Sequence, residues 1–399
     1  MNLMVMRFID IYIGIPLVYI FCFLTSRSRR RIFSASNRHE HKKILIIKFW
    51  GIGNVVMLLP AVSALKKKYP QARIDFLTLA GNRSVSDLAK IFDNIYSIEN
   101  ISFLKFGVMV FSNLAKLRKI NYDLVIDFEQ FARFSALFTF FISRKFTVGF
   151  NTKNQHRYFA YTGFVEYDNN IHMSKSFFSL VEYVGVDAQT TIKPLFLNCD
   201  ESSISEIEVI LREHDVSKND FLIVMHLGTS DNFSERRWPV SNFANLADRL
   251  IGEFNTKIVF TGLLNEGPEI KEVWKNIKNS SNAIDLSGKL NFRQYVSLIK
   301  ISDLVVSADT AAVHLAAATN TPVAGLYGPN TPLLYGPWGN NRSLWFYKNL
   351  ACSPCITNYN AKTTKCRHFD GRGACMKKIT VEEVFDALKN TYFNNKTTK

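Results

Sequence analysis

SADTAAVHLAAATNTPVAGLYGP, from Ser307 to Pro329, predicts a buried strand ending at Val306, a turn carrying Asp309 and Thr310, and a small-residue helix through His314 and Ala318. Pro322 then opens a second apolar strand, and Gly328-Pro329 closes the unit. Small side chains let the backbone approach a ligand closely at the helix N-terminus. Free N–H groups and the helix dipole favour an anion there, such as a diphosphate. Asp309 can accept from ribose hydroxyls, and Thr310 and His314 can donate to phosphate oxygens. Taken alone, the stretch equally describes an ordinary strand and helix in tight contact.

Its surroundings repeat the same grammar. From Lys43 the chain alternates short apolar runs with amphipathic stretches, the pattern of a doubly wound parallel sheet. ILIIK, IDFLTL, DLVIDF and KFTVGF are the strands expected in a first half, while residues 151 to about 195 carry no clear pattern. FLIVMHL, KIVFTG, AIDLSG, DLVVSAD and PVAGLYG restart the series in a second half. The fold class expected is α/β, with two Rossmann-like domains facing a cleft. The divisions are 1–41 for a hydrophobic segment and its basic flank, 42–195 and 196–385 for the two domains, and 386–399 for a tail. Ligands in open α/β sheets sit at the carboxyl ends of strands, and most of the polar motifs lie at such ends.

Several flanking motifs stand in order with the first. They are HLGTSDNFSERRWPVSNFANLADRL from His226, TGLLNE ending at Glu266, YGPWG at Tyr335 to Gly339, and KILIIKFWGIGNVVMLLP from Lys43. Together they resemble glycosyltransferase family 9, the bacterial heptosyltransferases, over roughly residues 42 to 390. The resemblance implies a GT-B fold and transfer of a sugar from a nucleotide-diphosphate donor, ADP-heptose first, to lipopolysaccharide or a lipid-linked glycan. It also implies inversion at the anomeric carbon with no metal-binding DxD signature, no cofactor, and a final helix that returns to the first domain.

The donor residues follow from both readings. Arg236 or Arg237, just before Trp238, can clamp a diphosphate through charge-assisted bonds, and the family pattern selects Arg236. Thr229 and Ser230 offer further donors to the same phosphates. Glu266 matches a family position at the nucleotide's sugar or base, and a carboxylate suits two adjacent hydroxyls. Asp309, Thr310 and His314 match the family's DTGxxH motif, with Ala311 in place of its glycine.

In the first half, Gly51 and Gly53 allow a sharp turn from strand to helix and bring N–H groups to the acceptor. Many family members carry an aspartate, assigned as general base, where this chain has Asn54. An amide accepts no proton at neutral pH, so Asn54 can only orient. Three consequences stand open. Another carboxylate serves, with Glu129 preferred over Asp127; the leaving diphosphate takes the proton; or the protein is a catalytically silent sugar-nucleotide scaffold. A nucleotide-sugar epimerase or hydrolase is a further alternative. For Asp127 and Glu129 the plain reading is that one caps the next helix.

The net charge of +15 points to nucleic acid, an anionic membrane or anionic sugars. No nucleic-acid motif is present, so nucleic acid is not the expected partner. The run Phe8 to Leu24, about 17 residues, is at the short limit for spanning hydrocarbon. It carries Asp10 and Pro16 and is followed by Arg27, Arg29, Arg30 and Arg31. This predicts attachment to the anionic inner membrane, with the rest of the chain on the cytoplasmic face. Cys352, Cys355, Cys366 and Cys375 could hold structural zinc, but their irregular spacing makes reduced thiols near the donor site the default expectation.

Overall fold

The computed structural model describes residues 12, 14, 16, 17, 19, 20, 41–99, 103–143, 145–229, 231–360, 366 and 368–394. Among these, no helix is long and apolar enough to cross a membrane. Most of the 8–24 stretch, the arginines after it, and Ser230 lie outside the described residues.

The chain forms two compact units. The first ends at Leu195 and takes back the short segment around Asn358 and Tyr359; the second begins at Phe196. In the first unit β1 (Lys43–Ile47), β2 (Arg73–Leu79), β3 (Asn94–Ile98), β4 (Leu124–Asp127), β5 (Phe146–Asn151) and β6 (Gly163–Glu166) make one sheet in the order β3-β2-β1-β4-β5-β6. Every recorded pairing is parallel, with Ile46 of β1 opposite Phe76 of β2 on one side and Ile126 of β4 on the other. Parallel neighbours need helical crossovers, which cover both faces, so the central strands must be apolar throughout. Ile44, Leu45, Ile46 and Ile47 are accordingly buried in succession.

The second unit repeats the plan. Its strands are β7 (Leu222–His226), β8 (Lys257–Thr261), β9 (Ala283–Asp285), β10 (Leu304–Ala308), β11 (Val323–Tyr327) and β12 (Leu344–Tyr347), in the order β12-β11-β10-β7-β8-β9. Val306 of β10 lies between Met225 of β7 and Ala324 of β11. In each sheet the strand order reverses beside the first strand, between β1 and β4 and between β7 and β10. That reversal leaves a crevice beyond the strand ends where crossovers depart in opposite directions, and it is where such sheets bind ligands.

Three strands were not anticipated: β3, β6 and β12. All sit at sheet edges or next to them, and their side chains are largely half-buried or exposed. The C-terminal helix is fixed by packing inside the second unit. Val381–Leu388 packs on Val240–Phe254 within the second unit. The Arg249 guanidinium lies 3.8 Å over the Phe385 ring, and Phe254 stacks on Phe393 at 4.0 Å. Val384, Phe385 and Leu388 belong to the second unit's core, so it is apolar burial that fixes this helix.

Candidate active site

In the second unit, several polar side chains gather at the switch point. β10 ends at Ala308, and the helix Ala311–Ala318 starts three residues later with Thr310 as its N-cap. The Thr310 hydroxyl accepts from the Ala312 N–H at 3.2 Å and meets the Ser307 hydroxyl at 3.0 Å. Ala311 is the first helical residue. His314, one turn on and four residues from the cap, is buried on the same side of the helix.

Asp309 is buried and heavily engaged. Arg236 Nη1 donates to its backbone carbonyl at 2.8 Å and stands 3.4 Å from its carboxylate. Asn330, in the loop after β11, donates to the same carboxylate oxygen. Arg236 is thus brought to the start of the helix. Arg237 goes elsewhere. Its Nε donates to the Thr229 hydroxyl at 3.1 Å and its Nη1 pairs with Glu269. The two arginines, alike in sequence, therefore do different things, and Thr229 is already bonded to the second. Trp238 is core, its indole N–H donating to the Ile379 carbonyl at 2.8 Å.

Glu266 closes the other side of this switch point. Its Oε2 accepts from the Leu263 N–H at 2.6 Å, and its carboxylate lies over Gly228 and Gly262. A Cβ at Gly228 would fall 2.0 Å from Oε2. Glycine at 228 is what admits the carboxylate to the end of β7. Behind it, His226 Nδ1 sits 3.2 Å from the Thr261 hydroxyl, and burial pushes the imidazole down to about 4. It is neutral at ordinary pH.

In the first unit, β1 runs into a turn at Gly51, whose φ of 89° favours glycine, and then into the helix Ile52–Lys68. Gly53 is buried in the first turn of that helix. Asn54 Nδ2 approaches the Trp50 carbonyl at 3.5 Å, and its Oδ1 is buried without a hydrogen-bond partner. Glu129 reaches this turn from the end of β4. Its Oε1 accepts from Lys48 Nζ at 2.6 Å and from the Phe49 and Trp50 N–H groups, each at 2.9 Å. Both Lys48 and Glu129 side chains are fully buried.

Asp127 is held still more closely. Its Oδ1 accepts from the Glu129 N–H at 2.9 Å, and its Oδ2 from Arg157 at 2.9 Å and Tyr161 at 2.7 Å. Burial pushes the Asp127 carboxyl up, while the Arg157 charge and the Tyr161 hydroxyl pull it back. Neither acid caps the following helix; Ala132 stands at that cap with no side-chain bond. Lys48, Arg157 and Asn330 were not anticipated. Lys48 left one sign, a lone charge closing an apolar strand. Arg157 lies in the stretch whose pattern was unclear.

The architecture defines a class: two Rossmann-like units, each with its polar residues gathered where the strand order reverses, as in nucleotide-dependent transferases. The family model for glycosyltransferase family 9 (heptosyltransferase) matches residues 110–365, more than half of the chain. The chain belongs to that family and is a glycosyltransferase. It is 23% identical over 312 residues to the lipopolysaccharide core heptosyltransferase OpsX of Haemophilus influenzae, covering 75% of this chain and 82% of that one. It is 24% identical to the lipopolysaccharide heptosyltransferase 1 of Campylobacter coli, covering 88% and 99%. Among solved structures it is similar to a family 9 glycosyl transferase from Veillonella parvula, with TM-score 0.76 and 18% identity over 88% of this chain and 98% of that one. It is also similar to E. coli ADP-heptose lps heptosyltransferase II, with TM-score 0.68, 20% identity and the same coverages. The fold is thus that of the heptosyltransferases.

Proposed function

We propose that this enzyme transfers a heptose from ADP-heptose to the core of lipopolysaccharide, inverting the anomeric carbon, without a catalytic metal. The observation that carries the reading is the meeting of Arg236, Asp309 and the Thr310-capped helix at one switch point. The relatives named for lipopolysaccharide heptosyl transfer supply the substrate class. Arg236 and the helix N-terminus stabilise the charge that develops on the departing diphosphate. Thr310 and His314 donate to its oxygens, and Glu266 takes the ribose hydroxyls. The first unit presents the acceptor hydroxyl at Gly51, Gly53 and Asn54.

In this reading Glu129 is a positioning residue and not the base. A general base must come within hydrogen-bond reach of the hydroxyl it deprotonates. The Glu129 carboxylate has no solvent-exposed surface, and one of its oxygens already takes three donors. The acceptor proton then leaves with the diphosphate, which Arg236 holds. The hydrophobic 8–24 segment and its arginines attach the enzyme to the cytoplasmic face of the inner membrane, where its acceptor is made.

The test is a transfer assay with ADP-heptose and lipopolysaccharide lacking its heptoses, read by mass, beside calorimetry with a panel of sugar nucleotides. The expected result is one heptose added, with donor binding lost in Asp309→Ala. Donor consumed without acceptor would indicate an epimerase or hydrolase. Binding without turnover would indicate a silent scaffold.

A further inference from the structure

Charge is unevenly divided along the chain. Residues 1–195 carry 26 lysines and arginines against 13 acids, and residues 196–399 carry 23 against 21. Within the first unit the helix Phe103–Ile120 concentrates the excess. Between Glu99 and Asp123 the chain has four basic residues, Lys105, Lys116, Arg118 and Lys119, and no acid. One side of this helix, with Phe106, Met109, Val110, Leu114 and Leu117, packs into the core beside Leu45, Ile47 and Phe138. The other side is not the polar stripe that water selects. Lys105, Val108, Phe111, Ala115, Arg118 and Lys119 follow one another at helical spacing, and all are exposed, Val108 at 63% and Phe111 at 73%.

We propose that this face docks on an anionic lipid bilayer, with Val108 and Phe111 entering the boundary between headgroups and acyl chains and Lys105, Arg118 and Lys119 meeting lipid phosphates. An aromatic ring suits that boundary, and long basic side chains reach from apolar surroundings to the headgroups. Each basic residue beside an anionic leaflet strengthens binding by about fivefold. The charges end long, flexible side chains on one helix, which suits mobile lipid phosphates better than acids fixed in a protein. The path of the chain supports the same occupant. Lys43 Nζ, at the start of β1, donates to the Ile120 carbonyl at 3.3 Å. The chain that carries the apolar run Phe8 to Leu24 and its arginines therefore enters the sheet at the basic end of this helix.

Docking sets the acceptor turn in relation to the bilayer. Phe106, on the inner side of the same helix, has its ring 5.7 Å from that of Phe134, centre to centre, and Phe134 meets Trp50 edge-on at 6.4 Å. Trp50 adjoins Gly51, so three rings join the docked helix to the turn that presents the acceptor in the reading above. That role rests on the proposed transfer; the docking itself does not.

The full chain with p-benzoylphenylalanine in place of Phe111 would be irradiated on vesicles of phosphatidylethanolamine and phosphatidylglycerol, and its adducts identified by mass. The expected result is phospholipid attached at residue 111, at least fivefold more than with the same probe in place of Val209, an exposed position of the second unit. Arg118→Glu with Lys119→Glu reverses the charge that seats the helix. It should lower the adduct at residue 111 by about fivefold or more, with the circular dichroism unchanged. Equal lipid adducts at residues 111 and 209 would overturn the proposal, as would an adduct indifferent to the double charge reversal. So would a crosslink from residue 111 to protein in place of lipid, whether to a second copy or to another partner. No donor or acceptor is present, so the adducts are read apart from the proposed transfer and either reading can fail without the other.

Discussion

Lys48 Nζ stands 2.6 Å from Glu129 Oε1, and neither side chain reaches water. The bond closes the end of β1 on the segment leaving β4, the two strands that flank the first unit's switch point. The same oxygen takes the N–H groups of Phe49 and Trp50, the residues just before the Gly51 turn. An ion pair of this sort costs desolvation, and removing one partner leaves the other charge uncompensated. Its worth lies in fixing the backbone that carries Gly51 and Asn54.

Glu129→Gln should therefore destabilise the first unit by roughly 3–5 kcal/mol, because Lys48 is left charged and buried. The double variant Lys48→Met, Glu129→Gln removes the orphaned charge and keeps an acceptor for the two N–H groups. It should recover most of the stability, measured by urea unfolding, and keep kcat within about tenfold of the parent. A double variant that is stable but has lost turnover by several orders of magnitude would make Glu129 the base.

The two arginines before Trp238 should separate in kinetics. Arg236→Ala should lower kcat/KM by on the order of 10²–10³-fold, as for removal of a preorganised donor to developing charge. Arg237→Ala loses a partly exposed pair with Glu269, worth about 1 kcal/mol or less, so its effect should stay within about tenfold. Steady-state kinetics with donor varied would show it; equal losses would mean that both arginines hold the phosphates.

Gly228→Ala tests Glu266 without touching it. The added methyl would meet the carboxylate at 2.0 Å and push it off the end of β7. Donor affinity should fall by roughly tenfold to a hundredfold, the loss expected for charge-assisted bonds to hydroxyls. Glu266→Ala should do the same by calorimetry, and the double variant should add little. An unchanged affinity in Gly228→Ala would remove Glu266 from the donor site.

His226 gives the fold an acid limit. Its imidazole is held down to about 4 by burial, against an ordinary value near 6.5. The unfolded chain therefore binds the extra proton first as pH falls, and stability drops between about 6.5 and 4. The residue is half-buried as a whole, so its share is smaller than the full shift implies, on the order of 2 kcal/mol. His226→Gln should flatten that part of the Tm-versus-pH curve. An unchanged acid limb would place the loss on other groups.

Most of the strands that were legible are buried on both faces, the edge strand β9 in AIDLSG being the exception. ILIIK, DLVVSAD and PVAGLYG read as strands because a parallel sheet under helices tolerates no polar side there. β3, β6 and β12 were not, because edge positions leave their side chains half in water and erase the pattern. Asp309 and Thr310 could be put forward as candidate donor residues for a related reason: they directly follow β10, and strand ends could be counted.

The sequence by itself determined two Rossmann-like halves, the turns at Gly51 and Asp309, and membership of a sugar-transferring family, since each rests on local order along the chain. The residues alone, adjacent and chemically identical, do not separate Arg236 from Arg237; the family pattern selects Arg236. The fold shows the physical difference, carrying Asp309 to one and Glu269 to the other. The sequence could not show that Glu129 meets a lysine 81 positions away, or that the cysteines of an irregular C-terminal run line one pocket. Such pairings are set by which strands lie side by side, and strand order belongs to the tertiary structure.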